Sequence, residues 1–149
     1  MSRASRARSP VRSRITSAAH RLGRGHERPG GEKSEALANT NLIAHEKALL
    51  AAGDAIALVL RVPAPLKSIA DQVIRSASSV PANLAEGHGR SGRDRVHFWR
   101  IAYASAKEVD SHLRLLERAG VVDTGKGEKV LETLDQVRAM TWRLINPKT

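Results

Sequence analysis

From about residue 40 to the C terminus, apolar side chains recur at intervals of three, four and seven positions, a spacing that places them on one face of an α-helix. Valine and isoleucine never alternate with polar residues over the length of a strand. Prolines or glycines interrupt the pattern at Pro63 and Pro65, at residues 87–92 and at Gly120. The sequence therefore predicts four helices, over residues 40–61, 66–88, 93–119 and 127–145, and no strand.

Each predicted helix carries one apolar face, and the four faces define the expected core. The first face consists of Leu42, Ile43, Leu49, Leu50, Gly53, Ile56, Ala57 and Leu60. The second consists of Leu66, Ile69, Val73, Ala77, Val80 and Leu84. The third consists of Phe98, Ile101, Ala102, Ser105, Val109, His112, Leu113 and Leu116. The fourth consists of Val130, Leu131, Leu134, Val137, Thr141, Leu144 and Ile145. Four amphipathic helices with short connections predict an all-α fold, an antiparallel up-down four-helix bundle over residues 36–149.

Polar residues and prolines predict how these helices begin, bend and end. Any of residues 39–41, which read Asn-Thr-Asn, is suited to cap the first helix. Pro81 lies inside the second helix and is expected to kink it near Ala77, because proline removes a backbone donor. Gly120 is expected to end the third helix, and Asp123 or Thr124 is expected to cap the fourth.

Residues 1–35 differ from the remainder in composition and predict a disordered, basic arm rich in Arg, Ser and Gly. Residues 1–33 contain 9 basic and 2 acidic residues, a net charge of +7, whereas residues 34–149 contain 16 and 13, a net charge of +3. The arm is consistent with a solvated tail or a start codon assigned too far upstream. It is also consistent with a nucleic-acid-binding segment or with a transit peptide.

The composition excludes several kinds of chemistry. The chain has no cysteine, which rules out disulfides, thiolate catalysis and cysteine-ligated zinc or iron–sulfur sites. No apolar run reaches the roughly 18 residues of a membrane span, so we expect a soluble, cytoplasmic protein. Glu108 and His112 are spaced to meet on one helix face, but one pair is not a metal site. Gly87, Gly89 and Gly92 follow a helix rather than a strand, which favours a helix stop over a phosphate-binding loop. We therefore expect no catalytic residues, no metal and no cofactor.

The second predicted helix carries a polar seam away from its apolar face. Gln72, Ser79 and Glu86 repeat at intervals of seven, and Ser76, Asn83 and Arg90 repeat beside them. A solvated surface is one interpretation. Short polar side chains are, however, poor helix formers, and they suit a hydrogen-bonded contact with another helix or subunit better.

The third predicted helix carries a basic strip. Arg93, Arg100, Lys107 and Arg114 repeat at a strict interval of seven, and Arg118 falls on the same side. The strip is consistent with a solvated face offset by Asp110 and Glu117. It is also consistent with a surface that follows nucleic-acid phosphates. On the second interpretation the nucleic-acid-binding candidates are Arg90, Arg93, Arg100, Lys107, Arg114 and Arg118.

Two segments of the sequence resemble a known bacterial family of four-helix bundles. Residues 72–90 read QVIRSASSVPANLAEGHGR and are similar to the family's Gln, basic residue and Ser-Ile-Pro-x-Asn-Ile-Ala-Glu-Gly-x-x-Arg stretch. Downstream, the family's Phe-x-x-Ile-Ala-x-Gly-Ser-x-x-Glu segment is matched except that Ala104 replaces the glycine. The resemblance covers about residues 40–146. The family includes proteins encoded within intervening sequences of large-subunit ribosomal RNA genes, and the accessory variability determinant of diversity-generating retroelements.

This resemblance implies a non-enzymatic bundle that assembles as a homopentamer, and in the retroelement case binds a reverse transcriptase and nucleic acid. It also implies that the matching residues define fold and assembly: Gln72, Arg75, Ser79, Pro81, Asn83, Glu86, Gly87, Ser105 and Glu108. We therefore expect an oligomeric protein that binds RNA or DNA or serves a reverse transcriptase. The alternative is a structural protein–protein assembly module with no nucleic-acid role.

Overall fold

A computed structural model describes residues 31–147 of the chain. In that part of the chain the structure contains four α-helices and no strand. Helix α1 spans Gly31–Val59, α2 spans Lys67–His88, α3 spans Gly92–Arg118 and α4 spans Thr124–Ile145. A 3-10 turn at Ala64–Leu66 precedes α2, as Pro63 and Pro65 interrupt regular helix formation. The predicted disorder of residues 1–30 lies outside the described residues.

Each helix packs against its neighbours in sequence, and α1 also packs against α4, so the four helices surround one core. Short connections between consecutive helices make the bundle antiparallel and up-down, as predicted. The largest fully buried side chains come from α2, α3 and α4. They are Val73, Val80, Leu84, Val109, Leu113, Leu116, Leu134, Val137 and Thr141.

Helix ends follow the local chemistry of the sequence. The side chain of Asp123 accepts a hydrogen bond from the backbone N–H of Lys126 at 2.8 Å, which confirms one of the two caps predicted for α4. Gly120 has a φ of +72° and donates to the carbonyl of Glu117, while the N–H of Val121 donates to the carbonyl of Leu116. These two bonds satisfy carbonyls at the end of α3 in a Schellman arrangement, so the predicted stop at Gly120 is confirmed.

Helix α1 begins nine residues before its predicted start at residue 40. Residues 31–38 contain good helix formers and Glu32 in the first turn, where a negative charge is favourable. Residues 31–35, assigned to the arm from composition, are therefore helical. Residues 39–41 lie inside α1 and cap nothing; Thr40 donates to the carbonyl of Ala36 at 2.9 Å instead.

The prediction of the buried face of α1 was wrong. The core side consists of small residues together with Asn41 and Val59, and the small residues form an alanine row: Ala44, Ala48, Ala51, Ala52 and Ala55. Of the larger side chains predicted for the core, Ile56 is partly buried and packs against it. The other five are exposed by about half or more of their surface: Leu42, Ile43, Leu49, Leu50 and Leu60. Both sets have helical spacing, and the alanines are the ones that let α1 approach its neighbours closely.

Candidate assembly and nucleic-acid surfaces

Residues of the family-like signature meet in one groove between α2 and α3. The groove has an open volume of about 290 Å³ and is lined by Gln72, Arg75, Ser76, Ser79, Ser105 and Glu108. The hydroxyls of Ser79 and Ser105 are 3.0 Å apart and form the hydrogen bond that links the two helices there. Two segments that are far apart in sequence therefore build one polar surface, which we call the signature groove.

The polar seam on α2 makes most of its hydrogen bonds within its own helix. The amide of Asn83 donates to the backbone carbonyl of Ser79 at 2.8 Å and to the Ser79 hydroxyl at 2.9 Å. The guanidinium of Arg75 donates to the side chain of Gln72 one turn earlier. Glu86 and Arg90 form an exposed ion pair one turn apart. Unlike the bond between Ser79 and Ser105, these contacts do not tie α2 to another helix.

The glycine-rich stretch ends α2 at His88, as predicted, and Gly87 has a packing role in addition. It lies buried inside the last turn of α2, and a Cβ atom at this position would be 2.5 Å from the indole of Trp99 on α3. A side chain at Gly87 would therefore displace the indole, which is 3% exposed. Trp99 was not included in the predicted core, because the apolar period of α3 was traced through Phe98.

The basic strip on α3 is exposed as predicted, and its members differ in their partners. Arg93, Arg100, Lys107 and Arg118 are exposed and form no salt bridge within the described part of the chain. We call these four residues the free strip. The other two candidates, Arg90 in the turn after α2 and Arg114 on α3, each donate to the carboxylate four residues earlier, Glu86 and Asp110 respectively.

Asp110 explains why Arg114 differs from the rest of the strip. Asp110 is largely buried, and its carboxylate accepts from Arg114 Nε at 2.6 Å. It also lies 3.1 Å from Arg138 Nη1 on α4. The hydrogen bond and the charge of Asp110 raise the pKa of Arg114, so that guanidinium stays charged. Arg138 also pairs with Asp135 at 2.7 Å, and this network joins α3 to α4.

Arg90 is held by two contacts at the end of α2. Its Nε donates to Glu86 at 2.8 Å, and this hydrogen bond, with the charge of Glu86, raises the pKa of Arg90. Its guanidinium also lies 5.4 Å from the centre of the Phe98 ring, within the range of a cation–π contact. Arg90 therefore stabilises the turn between α2 and α3. Its side chain is less free to contact phosphates than the side chains of the free strip.

The outer side of α1, together with Leu60 just beyond its end, forms an apolar surface whose residues were predicted to lie in the core. We call it the leucine face and define it by Leu42, Ile43, Leu49, Leu50 and Leu60. Gly53 lies among these residues, and a Cβ atom there would meet nothing within 4 Å. Glycine inside a helix lowers its stability, and nothing in the described chain requires a glycine at this position.

The described residues contain no group of three His, Asp or Glu side chains arranged to hold a metal ion. Glu108 and His112 do approach each other, at 3.8 Å on the surface of α3. A lone pair of this kind supplies too few ligands for a stable metal site. Among the described residues, none of the helices is both long and apolar enough to span a membrane.

Comparison with known proteins places the chain in a family. A model of the 23S rRNA-intervening sequence protein family matches residues 40–143, which is more than half of the chain. The chain therefore belongs to that family. This match spans the helices that form the signature groove, and it includes all six basic candidates on α2 and α3.

A solved structure supports the fold. It is a protein of unknown function from the S23 ribosomal protein family of Bacteroides thetaiotaomicron, 22% identical to this chain, with a TM-score of 0.65. The similarity covers 71% of this chain and 97% of that chain. A search of the curated proteins gives no match. Neither comparison names a catalytic activity, and neither shows a link to the retroelement accessory determinant.

Proposed function

We propose that this protein is a non-enzymatic, self-assembling member of its family that binds nucleic acid along α3. The observation that carries the proposal is the free strip, four exposed cations without a carboxylate partner in the described chain. From Arg93 to Arg118 the strip extends about 38 Å at the rise of an α-helix. A rigid row of this length meets several phosphates of a duplex or a folded RNA and releases their counterions.

The strip favours contact with the phosphate backbone over reading of bases. Its members are arginines and a lysine on a straight helix, and the intervening exposed positions include Ala104 and Ser111. The aromatic residues of α3, Phe98, Trp99 and Tyr103, are at least half-buried, so they offer little stacking surface for single-stranded bases. The expected binding is therefore strong at low salt and indifferent to sequence.

The leucine face supports self-assembly. Its five side chains are each exposed by about half or more of their surface, and large apolar side chains grouped on one exposed face commonly belong to an interaction site. Residues 1–30 of the same chain are poorly suited to pack on the leucine face, since they contain eight arginines and few apolar side chains. We therefore assign the leucine face to contact with a second copy of this chain. The family resemblance favours a homopentamer.

The second candidate function is a protein–protein assembly module with no nucleic-acid role. The leucine face favours it, because an exposed apolar helix fits an apolar partner protein as well as another copy. A reverse transcriptase is the partner suggested by the resemblance to the retroelement accessory protein. In this case the free strip would be a solvated surface, and removing its charges would leave nucleic-acid binding unchanged.

A charge-matched pair of variants tests the proposal. The test variant replaces Arg93, Arg100 and Lys107 with Gln, and the control variant replaces Lys126, Lys129 and Arg143 on α4, which removes the same charge elsewhere. Affinity for a duplex is measured over a range of salt concentrations. Each lost phosphate contact is expected to flatten the slope of log K against log salt by about 0.9, or up to about 2.7 for three contacts.

The oligomeric state of each variant is measured in the same samples. An intact assembly with a flattened slope in the test variant alone supports the proposal. An unchanged slope rejects the strip as a nucleic-acid surface. Dissociation of the assembly in the test variant identifies the strip as a subunit contact and also rejects the proposal.

A further inference from the structure

A cavity of about 480 Å³ lies at the end of the bundle where α1 begins, α2 ends and α3 begins. Its volume falls in the range of sites that hold small organic ligands. Leu37 and Ala38 of α1 give it an apolar wall, and Trp99 contributes to the wall on α3. The cavity is separate from the free strip, because no member of that strip lines it.

The cavity is electropositive. Lys33, His88 and Arg95 contribute nitrogen-bearing side chains from three different helices, and no carboxylate is among the lining residues. Three such groups around one space favour an anion, and most strongly a doubly charged one. The hydroxyl of Ser34 adds a further hydrogen-bonding group to the lining.

Arg95 is held in position before any ligand arrives. Its Nε donates to the backbone carbonyl of Arg90 at 2.7 Å, and its guanidinium lies 5.7 Å from the centre of the Trp99 ring. Its terminal nitrogens make no hydrogen bond or salt bridge within the described residues. A fixed guanidinium with free donors is well suited to binding phosphate oxygens.

Two buried polar atoms in residues that line this cavity have no partner. Asn41 Oδ1 is an acceptor without a hydrogen bond, and Trp99 Nε1 is a donor without one. Both side chains are 3% exposed, and Asn41 is the polar exception on the alanine-rich core side of α1. Unpaired buried polar groups are rare in proteins, and these two belong to side chains in the wall of the cavity. The Nε1 edge of the indole faces Gly87 on α2.

We propose that this cavity binds a phosphate monoester of nucleotide size. The phosphate is bound by Arg95, Lys33 and His88, and the attached nucleoside lies along the wall that Leu37, Ala38 and Trp99 form. A free nucleotide and the 5′-phosphorylated end of an RNA strand share this chemistry. The proposal extends the proposed function and does not depend on it, because the cavity and the free strip share no residue.

The indole N–H of Trp99 provides a local readout. The chain has two tryptophans, so replacing the exposed Trp142 by Phe leaves one indole signal in a ¹⁵N-labelled protein. Adenosine monophosphate is expected to shift this signal saturably, and adenosine is expected to leave it in place. A shift of equal size and affinity with adenosine, or no shift with the monophosphate, overturns the proposal.

Neighbouring charges supply matched controls in the same full-length protein. Arg95→Gln and Lys33→Gln are each expected to weaken binding of the monophosphate at least tenfold, while Arg143→Gln on α4, outside the cavity and outside the free strip, changes it less than twofold. Lys33 is exposed in the first turn of α1, so Lys33→Gln tests the charge without disturbing Trp99. Equal losses with Arg143→Gln overturn the proposal, because they indicate general attraction to a basic protein.

Two short RNAs distinguish the sources of the phosphate. A 5′-phosphorylated strand that shifts the Trp99 signal, where its 5′-hydroxyl counterpart does not, identifies the strand end as a ligand. A shift with the monophosphate alone identifies a free nucleotide. The variant that lacks Arg93, Arg100 and Lys107 keeps the monophosphate response if the cavity acts alone, so failure of the strip and failure of the cavity are separate results.

Discussion

At the scale of single residues, the contact between Gly87 and Trp99 depends on how α2 and α3 pack, which the residue pattern along the sequence does not describe. The glycine-rich stretch 87–92 predicted the end of the second helix, and α2 does end there, at His88. Gly87 also has a packing role that this prediction did not include. The glycine is required by an indole twelve positions later, which lies where a Cβ atom would be. The sequence shows a glycine at position 87, but the steric requirement for glycine there arises only because α3 packs on α2.

Gly87→Ala is expected to lower the free energy of unfolding by about 1–3 kcal/mol, because the new methyl group must displace a buried indole. Urea unfolding followed by circular dichroism measures this change. Gly125→Ala is the matched control, since its Cβ atom meets Asp123 at an ordinary contact distance of 3.6 Å, and it is expected to change stability by less than about 0.5 kcal/mol. Equal stabilities for the two variants would contradict the steric role of Gly87.

Asp110 is a second residue whose role the sequence revealed in part. Its spacing from Arg114 on α3 was visible, and it was considered as an offset to the basic strip. Its contact with Arg138 requires α4 to lie beside α3, and no local pattern specifies which charge on α4 will face it. Because Arg114 is paired in this network, it does not belong to the free strip. The free strip therefore has fewer cations than the predicted basic strip.

At the scale of elements, the periodicity predicted helices well and predicted one buried face wrongly. The apolar faces of α2 and α4 were predicted correctly, because each has one apolar stripe and one polar side. Helix α1 has apolar residues on two opposite sides, so its period cannot tell which side is inside. We predicted that the leucines would be buried because they are large. The structure instead buries the alanines, which let α1 pack closely against its neighbours.

Leu50→Gln tests whether the leucine face joins copies of the chain. Leu50 is 59% exposed, so the change costs a monomer little, but it places an amide in an apolar contact of the assembly. Sedimentation velocity is expected to show at least a tenfold weaker association. Leu115→Gln on α3 is the control, because Leu115 is 49% exposed and lies outside the leucine face. Similar association of both variants and the parent would argue against the assignment.

At the scale of the whole molecule, the fold was predictable because its connections are short and its pattern is entirely helical. The described helices start or end within three residues of the predicted bounds except at the start of α1, where composition was taken as a boundary. The surfaces were predicted less completely. The free strip came from spacing along one helix, whereas the signature groove and the end cavity combine residues from two or three helices.

Removing residues 1–30 is expected to leave the bundle folded, because the buried apolar residues of the described chain lie between Ala44 and Leu144. Thermal unfolding is expected to change by only a few degrees, and the helical signal per molecule is expected to be retained. The segment contains 8 basic residues and 1 acidic residue, so +7 of the net +10 leaves with it. Nucleic-acid affinity is therefore expected to fall even where α3 is intact. A large loss of thermal stability would show instead that the segment packs on the bundle.

An even number of antiparallel helices brings Gly31 and Pro147 to the same end of the molecule. Asp54, near the end of α1, lines a groove together with Lys126 and Lys129 at the start of α4. The end of α1 therefore lies beside the start of α4, and the start of α1 lies beside the end of α4. An affinity tag or fluorescent protein fused directly to Gly31 or to Pro147 therefore crowds the end that carries the cavity. The turn around Gly120 lies at the opposite end and is exposed. A small epitope or a single engineered cysteine there would immobilise the protein on a sensor surface with the cavity facing the solution.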